Sequence, residues 1–152
     1  MSPDAIGAIR IFFLSMLPAA ETSAAIPFGI LTTNLSAPAI LLLAFAGSTA
    51  ALLIVTPLLY RFGETVARRA RLFTLLLERT RIRHASRFGG AYDLALVGLI
   101  AMPQPFSGVW TGMLVAFIFG VPLRHAILLI AAGNLVSSLI VLFGVLGIIN
   151  IF

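Results

Sequence analysis

Glu21 is the only formally charged side chain between Arg10 and Arg61. It stands in LPAAETSAAIPFG, residues 17–29, an apolar stretch with prolines at 18 and 27. An ionisable group in an apolar segment is costly to bury, so its default reading is a functional site. A carboxylate there that takes up and releases a proton would serve a coupled exporter. The structural alternative is a cap, because an acid at a half-helix N-terminus satisfies free N–H groups. Ser23 and Pro27 share the stretch and join Glu21 in one candidate proton or substrate site. A second stretch, MPQPFSGVWTG at 102–112, repeats the theme of two prolines followed by small polar residues. Ser107, Gly108, Thr111 and Gly112 could open a half-helix whose N–H groups point at an anion or a polar substrate group. Tight helix packing through small residues is the alternative.

Trp110 is the only tryptophan. It could stack on an organic cation or anchor at a membrane interface. Gln104, Asn34 and Asn134 are candidate polar linings, or partners for broken backbone. His84 and His125 show no ligand spacing with Asp or Glu, so no metal and no cofactor are assigned. Ser107 faintly suggests a nucleophile, but no base lies near it in sequence, and an enzyme is not the expected class.

The elements that must hold these residues follow from segment length. Residues 5–33 form an apolar block interrupted at Pro18 and Pro27. A full membrane span needs about 20 residues. Split at its centre, the block gives helices of about 13 and 9 residues, roughly 20 Å and 14 Å long against a hydrocarbon core near 30 Å. Two half-depth helices joined by a turn make a re-entrant hairpin; one long kinked helix is the alternative. Residues 37–59 are uncharged and long enough to span, with Tyr60 expected at the interface. Residues 94–123, broken at Pro103 and Pro105, give a second hairpin, and residues 125–152 a second span. The apolar IFFLSML near the N-terminus could pass for a leader core. Asp4 offsets Arg10, however, and apolar character continues beyond it, so the segment is expected to stay.

Composition sets the class. The chain has 152 residues, 61% hydrophobic and only 10% charged, with a mean hydropathy of +1.13. Soluble domains carry about 25% charged residues, so this is an all-α integral membrane protein of one domain. It has no cysteine, which excludes disulfides and thiolate metal sites. Its net charge is +5, and most of its arginines fall between Arg61 and Arg87. That local concentration suits a membrane surface and not nucleic acid. Residues 61–90 are expected to form an amphipathic linker helix on the cytoplasmic face. Arg68, Arg69, Arg71, Arg79, Arg81 and Arg83 would reach anionic lipid headgroups. The partners are then membrane lipids and a small-molecule or lipid substrate, with a homodimer permitted.

The halves also resemble each other. AILLLAFAG at 39–47 matches AILLIAAG at 126–133 with one residue dropped, and each half runs broken segment, polar turn, full span. One hairpin and one span per half start the second half on the opposite side, so the repeat is inverted: 5–60 and 91–152 about the linker 61–90. Its two broken segments should meet near the midplane, where secondary transporters place their sites.

LPAAETSAAIPFG, LLLERTRIRHASRF, MPQPFSGVWTG and the following GVPLRHA and GN resemble the small multidrug export protein family, which looks like a compact relative of the DedA-type membrane proteins. The resemblance covers nearly the whole chain. It implies paired re-entrant hairpins in an inverted repeat, a bacterial or archaeal inner-membrane location, and export of small organic compounds. The family commonly has an arginine two positions after the glutamate. Here that position is Ser23, so a close Glu–Arg pair is not carried over. Three functions follow: a proton-coupled exporter of small organic compounds, cations among them; a DedA-like translocase of polyprenyl phosphate; or a non-transporting envelope-integrity protein. The missing arginine favours the exporter, since a buried phosphate would call for guanidinium.

Overall fold

The computed structural model describes residues 3–69, 91–103 and 108–151. Gln104, Ser107, Arg71, Arg79, Arg81 and Arg83 lie outside the described residues, as does most of the expected linker helix. The described part is helical, with no strand: α1 (Pro3–Met16), α2 (Glu21–Thr32), α3 (Ala37–Arg69), α4 (Ala91–Ala101), α5 (Val109–Phe119) and α6 (Leu123–Ile151).

Local signals explain where most of these helices begin and end. Pro3 opens α1, where its missing N–H costs nothing, and Asp4 faces the positive end of the helix dipole. The helix stops just before Leu17, which precedes proline and so disfavours the helical region. α4 stops two residues before Pro103 in the same way. α5 ends at Gly120 with φ 73°. There the Val121 N–H reaches the Ala116 carbonyl and the Gly120 N–H the Phe117 carbonyl, a Schellman close. Pro122 then leads into α6.

Two sequence expectations are corrected here. The interruption expected at Pro27 is absent: Pro27 lies inside α2, which starts at Glu21 and has 12 residues where about 9 were expected. Proline at its seventh position removes one intrahelical bond but spares the first turn, where N–H groups have no intrahelical partner anyway. The boundary at Tyr60 is also absent from the backbone. α3 runs unbroken through Pro57 and Tyr60 to Arg69, carrying Arg68 and Arg69 on the same helix as the span.

Lengths sort the helices into two kinds. α1, α2, α4 and α5 have 14, 12, 11 and 11 residues, about 16–21 Å each and short of a ~30 Å hydrocarbon core. Among the described residues, two helices are long and apolar enough to cross a membrane, over Ala37–Gly63 and Leu123–Ile149. Their outward faces are apolar: Leu42 is 67% exposed, Leu128 68% and Phe143 67%. Such faces need an apolar surrounding.

Packing follows the halves. α1 lies along α3 and α4 along α6, while α2 and α5 each touch both long helices. One buried cluster joins Ile11, Ile26 and Ile40 with Leu142 of α6; the other joins Ile100, Met113 and Ile130 with Leu52 of α3. Each pair of short helices therefore has its own core, and each long helix lends a residue to the other half. The glycines that end the two similar strings have matching jobs. A Cβ on Gly47 would strike Phe12 and Ser15 of α1, and one on Gly133 would come within 2.9 Å of Val97 and Ile100 of α4.

Candidate functional site

Glu21 is the first residue of α2 and is only 8% exposed. Its carboxylate does not cap its own helix. It crosses to the other half of the chain, where Oε2 accepts from the Val109 N–H at 3.1 Å and Oε1 from the Trp110 N–H at 3.4 Å. Those N–H groups open α5. The first contact has ordinary hydrogen-bond length, and the second is long and weaker. One carboxylate thus stands between the N-terminal ends of two helices, where both macrodipoles favour negative charge.

Two backbone features hold it there. Glu21 has φ 43°, the only non-glycine residue with positive φ among those described, at a cost of about 1–2 kcal/mol. Strain of this kind persists where the surroundings over-determine a position. Opposite it, a Cβ on Gly108 would overlap the Glu21 carboxylate. Glycine at 108 is what lets the start of α5 come up against the start of α2.

Of the residues singled out in sequence, Glu21, Gly108 and Trp110 are brought together. At the start of α5 the Val109 and Trp110 N–H groups are taken by the chain's own Glu21 carboxylate. Trp110 contributes its backbone N–H, and its ring packs beside the second core cluster. Ser23 lies one turn into α2 and gives its hydroxyl proton to the Ala20 carbonyl at 3.0 Å. Thr111 is half-buried in the first turn of α5, and Gly112 packs against Ile100 and Ile130. Pro27 sits further along α2.

Asn134 has a different role. It is 2% exposed and donates through Nδ2 to Ser48 Oγ at 2.7 Å, tying the middle of α6 to the middle of α3. Removing it by Asn134→Ala should lower thermal stability by about 1 kcal/mol, the scale of interhelical hydrogen bonds in membranes. Melting in detergent checks this, and Ser48→Ala should add little once Asn134 is gone.

Sequence reasoning missed two contacts. His125 has no ligand spacing with Asp or Glu in the sequence, yet its Nε2 lies 3.0 Å from Asp93 Oδ2, joining the starts of α4 and α6. Tyr60, read as an interface anchor, donates its hydroxyl to the Val121 carbonyl at 2.7 Å and sets its ring edge-on to Phe117. Both partners are remote in sequence, and no local pattern announces them.

Among known proteins, the family model described as "Putative small multi-drug export protein" matches residues 21–140. That match begins at Glu21 and includes Gly108, Val109 and Trp110. No curated protein and no solved structure matches the chain.

Proposed function

The chain belongs to the small multi-drug export protein family, and on that premise we propose that it is a small secondary transporter, a proton-coupled exporter of small organic cations. α1–α2 and α4–α5 are its two re-entrant hairpins, in an inverted repeat whose tips meet near the midplane. Helices too short to span, the matching roles of Gly47 and Gly133, and the two reciprocal cores support that arrangement. The concentration of arginines in 61–90 supports a linker on the cytoplasmic face of an inner membrane, near anionic headgroups.

The observation that carries the mechanism is the carboxylate shared between hairpins. When ionised, Glu21 has only acceptors to offer, and two N–H groups of α5 use them. A proton on one oxygen turns it into a donor facing another donor, so the tie between the tips is weakened. A cation arriving at the same carboxylate competes with that proton. Proton and substrate then bind one carboxylate in mutually exclusive fashion, which is what exchange coupling requires.

Reconstituted into vesicles, the protein should move a fluorescent organic cation faster under an imposed proton gradient than without one. Should it show no such flux but redistribute a labelled polyprenyl phosphate between leaflets, the translocase function would replace this one.

A further inference from the structure

The open end of the first hairpin carries a second polar feature. A cavity of about 250 Å³ lies between α1 and α2, lined by Ile6, Gly7 and Arg10 on one helix and Phe28, Thr32 and Thr33 on the other. Arg10 is exposed, and among the described residues its guanidinium has no ion-pair or hydrogen-bond partner. It sits about 10 Å along α1 from Pro3, at 1.5 Å per residue. On a helix that enters the bilayer at its N-terminus, that depth is the boundary between headgroups and acyl chains. An unpaired guanidinium at that depth calls for an anion, and phosphate suits its forked donors best.

The other polar groups narrow the ligand further. Thr32 gives its hydroxyl proton to the Phe28 carbonyl and Thr33 gives its own to the Gly29 carbonyl, each at 2.7 Å. The Thr32 hydroxyl oxygen, its own proton committed, is left with acceptor capacity at the cavity wall, whereas Thr33 Oγ1 already accepts from the Leu35 N–H at 3.4 Å. One side of the site donates to a phosphate, and the other accepts from a group carrying O–H or N–H. Apolar surface completes the lining, from the exposed Ile6 on α1 and from Phe28 on α2. Gly7 keeps the helices close here, because a Cβ on it would come within 2.6 Å of Thr33 Cγ2.

We propose that the groove between α1 and α2 binds the phosphodiester headgroup of an anionic, hydroxylated lipid, with Arg10 on the phosphate and Thr32 accepting from a headgroup hydroxyl. The site is separate from the Glu21 tie, and it stands whether or not the chain exports organic cations. A soluble phosphate would meet Arg10 but leave the apolar lining unused, and a choline headgroup offers Thr32 no donor.

The test uses the full-length protein in neutral detergent, titrated with phosphatidylglycerol or phosphatidylcholine and followed by native mass spectrometry. One phosphatidylglycerol should be retained in preference to phosphatidylcholine. Arg10→Gln should weaken that retention about tenfold, the worth of a charge-assisted hydrogen bond. Thr32→Val should weaken it by a smaller factor and erase much of the preference over phosphatidylcholine. Because Thr32→Val keeps shape and charge, it remains informative if Arg10→Gln folds poorly. Equal retention of the two lipids, or unchanged retention in both variants, would mean that Arg10 only compensates the dipole at the end of α2, and the proposal would fall. Displacement of the lipid by millimolar inorganic phosphate would make this a free-phosphate site and overturn the lipid assignment.

Discussion

Glu21→Gln should insert, fold and purify, and its proton-driven flux should fall to the level of empty vesicles. Gln has nearly the shape of Glu but only one acceptor oxygen, and it cannot ionise. One of the two N–H groups at the start of α5 would keep its partner, while the other would face an amide NH₂. Losing one charge-assisted contact, with a polar group left imperfectly paired, should cost about 1–2 kcal/mol of stability. That cost would appear as a melting shift of several degrees in detergent, too little to account for lost transport. Glu21→Asp keeps the charge but draws it back by one methylene, away from Val109, so partial flux should remain. The ranking Glu, then Asp, then Gln in flux separates a charge cycle from a simple cap. For a simple cap, flux should follow melting temperature across the three proteins. Parent-rate transport by Glu21→Gln under a proton gradient would remove Glu21 from the coupling mechanism.

The sequence made one side of this site legible and left the other hidden. Glu21 stands out because charge is rare in its surroundings, and Pro18 and Pro103 mark the ends of α1 and α4 because proline restricts the residue before it. SGVWTG was readable as a half-helix start able to receive an anion. What could not be read is that the anion is Glu21, 88 residues away in sequence from Val109. Hydropathy and turn signals report local preference, whereas this contact is set by how two hairpins dock. The same limit explains Asp93 with His125 and Tyr60 with Val121, both closed by tertiary packing. Pro27 failed for a different reason. Its helix begins at a residue with positive φ, which no propensity argument would select as a helix start, so the proline fell near the end when it is in the interior. Strain at Glu21 and the wrong helix boundary thus have a common origin in the tie across the tips.

Gly108→Ala tests that tie from the other side, and its effect on stability should be the larger. Gly108 has φ −89°, outside the left-handed region, so its need to be glycine comes from what lies against it. A methyl group there would occupy the position of the Glu21 carboxylate. The carboxylate is held by α5 and cannot simply swing away without losing both N–H contacts. Overpacking of this kind costs about 1–3 kcal/mol, and the lost contacts add to it. Gly108→Ala should therefore destabilise the protein by about 3 kcal/mol or more and abolish flux. Glu21→Ala removes the obstacle, so the same substitution made in that background should cost much less. The double-mutant cycle should return a coupling of about 2 kcal/mol between positions in opposite halves of the chain. Denaturation of the four proteins in a common detergent gives that number directly. An equal cost for Gly108→Ala in both backgrounds would mean that the carboxylate does not lie over Gly108. The two hairpins would then not be joined through Glu21.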